Sequence, residues 1–263
     1  MKKYKSAIFG EIIEPETFVE LMELVSENPN DFNFNVNFWR GQGDIRWPVH
    51  SGAYRRLLNS GNKTVSEKDL VFYETALLKR ARHRGLGFLE GRRLNDIELL
   101  ARLQHHGAAT RFVDFSKNVL IALWFCVDSN KDKTGLLLGI HSNFVGGNEG
   151  SLEESLNYDD SIKKLPSCSY PFIVEPTIVS QRISAQHAIF LYSDVLSNSK
   201  GSFKFPQNLS ANIFIAISPQ MKKKLRKLLT EVFDIRTETI YPDLDGFSLA
   251  NNSVTSDSDI WRW

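Results

Sequence analysis

The chain has little of three features that often reveal a protein's class: cysteine, charge of one sign and long apolar runs. Of its 263 residues only Cys126 and Cys168 are cysteines, so neither a disulfide framework nor a cysteine-based zinc site is predicted. The formal net charge is +1, whereas proteins that grip duplex phosphate usually carry a strong basic excess. No apolar stretch approaches the roughly 18 residues of a membrane-spanning helix, and no apolar segment follows the basic residues 1–6. We therefore expect a cytoplasmic protein without membrane contact, whose nucleic-acid contacts would be local.

What is present suits one globular domain over 1–263, since 42% of the residues are hydrophobic and 24% are charged. Cys126 lies in an apolar run and is predicted to be a buried thiol. Periodicity and end signals predict helices over 17–25, 66–84, 94–106, 114–128 and 220–232. Strands are predicted over 32–39, 135–141, 172–179, 187–192 and 212–218, and a loop or insertion over 144–166. This order predicts an α+β fold, with helices mainly in the first half packed on a mixed, mostly antiparallel sheet.

The first candidate site is the segment Arg40-Gly41-Gln42-Gly43, at the end of a predicted strand. Arginine there can hold a phosphate or carboxylate by two parallel hydrogen bonds, and glycine lets backbone approach a ligand. A structural ion pair beside a tight turn is an equally good interpretation.

The second candidate site is the junction between two predicted helices, which Gly107 separates. Asp114 or Ser116 is expected to cap the following helix, and a helix start with polar side chains suits an anion or a nucleotide. The alternative is two caps and satisfied core polar groups, and a hydrolase lacks support because there is no nucleophile-elbow motif. The polar residues of this junction are Gln104, His105, Thr110, Arg111, Asp114 and Ser116.

The third candidate site is the segment 179–193, which reads as a late strand. The period of two would place Arg182, Ser184 and Gln186 on one polar face. The alternative interpretation is the solvent-facing side of an edge strand. No cluster of metal-ligand residues is found in the sequence, so no metal is expected.

These motifs together resemble the FRG domain family, over about residues 38–249. The resemblance rests on four ordered signatures. They are Trp39-Arg40-Gly41; Gln104, His105, Gly107, Thr110, Arg111, Asp114 and Ser116 with Ala122, Leu123 and Phe125; Arg182 and Gln186 with Phe190; and Tyr241 to Gly246.

The order of these signatures is also similar to the layout of NAD-dependent ADP-ribosyltransferases. That resemblance implies that Arg40 meets the phosphates or ribose of NAD, that 110–116 shapes the nicotinamide pocket, and that Gln186 occupies the position of a late glutamate. The chain departs from the layout, since it has no Ser-Thr-Ser triplet and no Glu-x-Glu near Gln186. Asp114 or Glu175 is expected to supply the negative charge that Gln186 lacks.

The expected function is therefore an ADP-ribosyltransferase-like enzyme that uses NAD as its substrate. The resemblance implies a bacterial toxin or phage-defence effector that modifies nucleic acid or protein and has a neutralising antitoxin partner. The alternative is a non-catalytic module that binds nucleotide or nucleic-acid phosphate. The expected catalytic residues are Gln186, Asp114 and Ser116, and the expected cofactor-binding residues are Arg40, Gly41, Gln42, Gln104, His105, Thr110, Arg111 and Arg182.

Overall fold

A computed structural model describes residues 1–26, 36–146, 157–163, 165–175, 180–196, 198–208 and 211–252. Within these ranges the strands are β1 (Lys2–Ser6), β2 (Gly10–Glu14), β3 (Val36–Gln42), β4 (Phe88–Leu89), β5 (Arg92–Arg93), β6 (Val113–Ser116), β7 (Gly135–His141), β8 (Phe172–Val174), β9 (Ala188–Tyr192) and β10 (Asn212–Ile217). The helices are α1 (Phe18–Ser26), α2 (Gly52–Asn59), α3 (Glu67–His83), α4 (Asp96–His105), α5 (Val119–Asp128), α6 (Tyr158–Lys163), α7 (Gln181–Ala185), α8 (Pro219–Glu231), α9 (Thr237–Ile240) and α10 (Leu244–Ala250).

Eight strands form one mixed sheet in the order β1-β2-β10-β7-β3-β6-β9-β8. Every neighbouring pair is antiparallel except β10 with β2, which confirms the α+β class and the mostly antiparallel sheet. The short strands β4 and β5 form a separate hairpin.

The central strand β7 is buried along its whole length, as its continuous apolar run predicts. Leu136, Leu138 and Ile140 face one apolar cluster beneath the sheet, and Leu137 faces a second cluster on the other side. The second cluster includes helix α5. This helix has apolar residues on nearly all of its faces, as expected for a helix that is enclosed by other elements. Cys126 on α5 is a buried free thiol, as predicted, and burial raises its pKa to about 12.

Two predicted elements are wrong where chemistry was expected. Residues 113–116 form a strand rather than the start of a helix, and Asn118 caps α5 by accepting from the Leu120 amide. Asp114 and Ser116 therefore do not cap that helix. The segment Gln181–Ala185 is a helix capped by Ser180, so Arg182 and Gln186 do not share the face of a strand.

Several other predictions fare better. The capping box at Ser66 and Asp69 opens α3 as expected, and α4 ends before Gly107. The loop predicted over 144–166 is wrong at Tyr158–Lys163, which forms helix α6. Residues 147–156 of that segment lie outside the described part of the chain, and so do residues 32–35 and 176–179 of two predicted strands. Across the described ranges, no helix has both the length and the apolar character needed to cross a membrane.

Candidate functional site

The sheet is nearly divided between β3 and β6. These strands pair through one residue pair, Trp39 with Ser116, whereas β3 pairs with β7 at six positions and β6 with β9 at four. Beyond Trp39 the ladder is replaced by a side chain, because the Arg40 guanidinium donates to the Asp114 carbonyl at 2.7 Å. We call this place the β3–β6 junction, and it brings the first two signatures together.

Arg40 is half-buried at the junction. Its Nε lies 3.4 Å from Gln42 Oε1, and the Gln42 amide donates in turn to the Trp47 carbonyl at 3.1 Å. Burial lowers the pKa of the Arg40 guanidinium, the charge of Asp114 opposes that shift, and the like charge of Arg55 adds to it. Within the described residues no carboxylate forms an ion pair with Arg40, so its charge is available to a ligand.

The glycines beside Arg40 serve the packing of a helix. A Cβ on Gly41 would lie 1.9 Å from the Ala122 carbonyl oxygen, and one on Gly43 would lie 2.1 Å from Ser129 Oγ. Helix α5 therefore crosses β3 at a distance that only glycine permits. This contact explains Gly41 without a ligand, and we leave Gly41 out of the proposed site.

A chain of hydrogen bonds orients Asp114 from α4. Thr110 Oγ1 donates to Gln104 Oε1 at 2.6 Å, which fixes the direction of the Gln104 amide. The amide nitrogen then donates to Asp114 Oδ1 at 3.0 Å. Because the Asp114 side chain is exposed, its carboxylate is held in place yet open to solvent.

Ser116 and Gln186 join the second and third signatures. Ser116 Oγ donates to the Gln186 carbonyl at 2.7 Å and accepts from the Asn118 amide at 3.0 Å. The Gln186 side chain donates to the Ile240 carbonyl at 3.1 Å, next to the fourth signature. Both side chains thus hold loops together around the junction.

Arg182 links the third and fourth signatures. Its guanidinium makes two hydrogen bonds to Asp243, lies 5.1 Å from the centre of the Tyr241 ring, and donates to the His105 carbonyl at 3.2 Å. The hydrogen bond from Arg182 lowers the pKa of Asp243, whose carboxylate also accepts from the Gly246 amide. Asp243 and Tyr241 were missing from the predicted site residues, although the signature Tyr241 to Gly246 contained them.

His105 packs edge-on against Phe190, with ring centres 5.2 Å apart. Its Nε2 atom is buried and has no hydrogen-bond partner within the described residues. Burial lowers the pKa of His105 to about 4, which the charge of Asp114 partly offsets. His105 is therefore a neutral imidazole beside Asp114 and Arg182.

Arg111 is directed away from the junction into a buried network. Its backbone and side chain donate to Glu74 at 2.5 and 2.6 Å, and its guanidinium also reaches Glu67 at 2.9 Å and Tyr158 at 2.7 Å. Arg111 and Glu74 are almost fully enclosed. We assign Arg111 to this structural network, which fastens the segment before β6 to α3 and α6.

Two further features lie apart from the signature residues. Glu175, an expected source of negative charge, pairs with Lys117 at 2.8 Å. A surface pocket of about 380 Å³ between α3 and α6 shares no residue with the four signatures, and ion pairs such as that of Arg82 with Asp96 occupy its wall. Within the described ranges no three His, Cys, Asp or Glu side chains are grouped to hold a metal ion.

Comparison with known proteins gives one match. Residues 35–135 match the model of the FRG domain, a segment that contains β3, the β3–β6 junction and α5. Searches of curated proteins and of solved structures return no match. The match covers the first two signatures of the predicted resemblance, and the geometry joins the third and fourth to them. This match over residues 35–135 supports the resemblance to the FRG domain family.

Proposed function

We propose that this protein is an ADP-ribosyltransferase-like enzyme whose NAD substrate lies at the β3–β6 junction. The observation that supports the proposal is the convergence there of Arg40, Asp114, Ser116 and Gln186, which come from three distant parts of the sequence. Among the described residues, only the pair of Trp39 with Ser116 joins β3 to β6, so the two strands separate beyond Trp39. Ligand sites usually contain a few polar groups that converge on one place, as these four do.

Three side chains have roles in this proposal. Arg40 binds the phosphates, because its charge has no paired carboxylate among the described residues and a guanidinium matches phosphate geometry. Asp114 places a carboxylate near the ribose, where its charge stabilises the positive charge that develops on the sugar. His105 is a neutral imidazole beside Asp114, so it adds no positive charge where the sugar becomes positive.

The reaction breaks the bond between nicotinamide and ribose, whose electron pair leaves with nicotinamide. A nucleophile of the acceptor forms the new bond to the same sugar carbon and releases a proton. The protein positions the two reactants and stabilises charge, which requires no metal. The acceptor is nucleic acid or protein in this proposal, and the setting is a toxin or phage-defence effector with a neutralising partner.

Of the two carboxylates expected to supply the charge that Gln186 lacks, the proposal assigns that role to Asp114, because Glu175 pairs with Lys117. Gln186 uses its amide N–H to bind the Ile240 carbonyl, and it carries no charge. Asp114 is the exposed carboxylate at the junction, and Gln104 holds it in one orientation. Gln186 and Ser116 are then positioning residues.

A second candidate function is a non-catalytic module that binds nucleotide or nucleic-acid phosphate. The observation that favours it is the uncharged Gln186 at the position where the resembling enzymes carry glutamate. In that case Arg40 would bind phosphate, and no bond would be broken.

The test uses nicotinamide release from NAD together with calorimetry, on Arg40→Ala, Asp114→Asn and the control Arg80→Ala. We expect Arg40→Ala to weaken NAD binding by roughly 10- to 100-fold, the value of a charge-assisted hydrogen bond. Asp114→Asn should lower kcat on the order of 100-fold while NAD binding changes little, since the lost charge acts mainly in the transition state. Arg80 is exposed on α3 outside the signatures, so its removal should change neither quantity.

The two candidate functions give different results. NAD that does not bind wild-type protein, together with salt-sensitive RNA binding lost in Arg40→Ala, would favour the binding module. A variant Asp114→Asn with full activity would exclude Asp114 as the charged group.

A further inference from the structure

Helix α2, which contains Arg55, packs beside the β3–β6 junction. This helix docks on the segment before β6, because the Ala53 amide donates to the Thr110 carbonyl at 2.9 Å. The contact is close, since a Cβ on Gly52 would lie 3.3 Å from the Ala109 Cα. Thr110 in turn bonds Gln104, so α2 is fixed to the same network that orients the Asp114 carboxylate.

Arg55 on α2 is exposed, and its guanidinium donates to the His50 carbonyl at 2.9 Å. Its charge acts on Arg40, since repulsion from Arg55 contributes to the lowered pKa of the Arg40 guanidinium. Among the residues that the structure describes, neither arginine forms an ion pair with a carboxylate. The neighbouring Arg56 points elsewhere, over the Tyr73 ring at 5.8 Å.

Arg40 and Arg55 repel each other and, within the described part of the chain, neither is neutralised by an ion pair, although the charge of Asp114 favours the charged form of Arg40. Repulsion of this kind is useful at a binding site, because a ligand with two adjacent negative groups relieves it. Each guanidinium has several N–H donors, and a single bond of Arg55 to His50 leaves the other donors for phosphate oxygens.

We propose that Arg55 and Arg40 bind the two phosphates of a nucleotide diphosphate together, which makes Arg55 a ligand-binding residue outside the four signatures. This inference rests on the proposed function for the identity of the site, and it defines the ligand class as a diphosphate. The chemistry is shared by free diphosphate and by the diphosphate of NAD or ADP-ribose.

The experiment is calorimetric titration of the full chain with inorganic pyrophosphate and with ADP-ribose. The variants are Arg55→Ala, Arg55→Lys and the matched control Arg56→Ala on the same helix. We expect Arg55→Ala to weaken the binding of both probes by roughly 10- to 100-fold. Arg55→Lys should restore part of the affinity, because lysine keeps the charge but loses the fork of donors. Arg56→Ala should bind like wild type, and thermal unfolding should confirm that each variant is folded.

The outcomes separate this inference from the enzyme proposal. Pyrophosphate binding that depends on Arg55, in a protein that releases no nicotinamide, would support the diphosphate site and remove the enzyme. The inference is overturned when wild type binds neither probe, or when Arg55→Ala and Arg56→Ala weaken binding equally. Should Arg55→Ala fail to fold, wild-type affinity for both probes in a folded Arg55→Gln variant would overturn it as well.

Discussion

The substitution Gly41→Ala tests why position 41 requires glycine. The residue makes room either for a bound ligand or for the backbone of helix α5. A Cβ at this position would lie 1.9 Å from the Ala122 carbonyl oxygen and 2.6 Å from the Cys126 backbone nitrogen. Both atoms belong to the backbone of α5, so no rotation of a side chain can relieve the overlap. To accept the methyl group, α5 must move away from β3.

The size of the effect follows from what that movement disturbs. Helix α5 packs in an apolar cluster with β7, β10 and α8, and Leu123 within it is completely buried. Overpacking a well-filled core usually costs about 1–3 kcal/mol. Because two backbone contacts are violated here, we expect the free energy of unfolding to fall by about 3 kcal/mol or more.

Urea denaturation of wild type and Gly41→Ala measures this difference by linear extrapolation. The control is Gly87→Ala, where the nearest atom would be the flexible end of Arg82 at 3.1 Å, so we expect a loss below about 1 kcal/mol. If Gly41→Ala keeps wild-type stability and yet loses ligand binding, the packing explanation is refuted. The glycine would then be present for a ligand.

Two further predictions concern charge at the junction. The pKa of His105 is lowered from 6.5 to about 4, so between these values the unfolded chain binds more protons than the folded chain. The free energy of unfolding should therefore fall as the pH falls through this window, by at most about 1.4 kcal/mol per pH unit. Urea denaturation of His105→Gln should show a free energy of unfolding that depends less on pH. Gln186→Glu should lower both activity and stability, because it removes the N–H that binds the Ile240 carbonyl and sets an anion against that oxygen; nicotinamide release above the wild-type rate would refute this reasoning.

Features that depend on neighbouring residues could be predicted from the sequence. The capping box of Ser66 and Asp69 sets the start of α3, and Gly107 follows the end of α4, because both signals act within one helical turn. The apolar run of β7 identifies a buried strand for the same reason. Arg40, Asp114, Ser116 and Gln186 each lie near the end of a predicted element, and this placement, not periodicity, indicates that they belong to one site.

Features that depend on distant partners could not be predicted. The segment 113–116 has the apolar content of the helix that follows, and its pairing with β9 makes it a strand. From the sequence, Arg111 is predicted to bind a ligand. Its partners in the structure are Glu74 and Tyr158, which lie 37 and 47 residues away in the sequence. Local patterns contain no information on such contacts.

The arginines of the chain differ in whether a carboxylate inside the protein neutralises their charge. Arg111 and Arg182 belong to the signatures, yet both are neutralised inside the protein, by Glu74 and Asp243. Arg40 and Arg55 have no such carboxylate partner within the described ranges. The motifs alone gave all the signature arginines the same expected role, since an arginine's partner is set by the folded topology.

Within the described residues, the small number of junction arginines without a carboxylate partner limits the size of the ligand that the junction can bind. A net charge of +1 argues against a surface that follows duplex phosphate over many contacts. At the β3–β6 junction the local excess consists of two guanidinium groups, opposed in part by Asp114. Two unpaired charges match one diphosphate, and the nearby carboxylate would repel a longer run of phosphates that passed over it. Under the proposed function the junction therefore holds a single small nucleotide, and a nucleic acid would meet it as the acceptor rather than as the group held by Arg40.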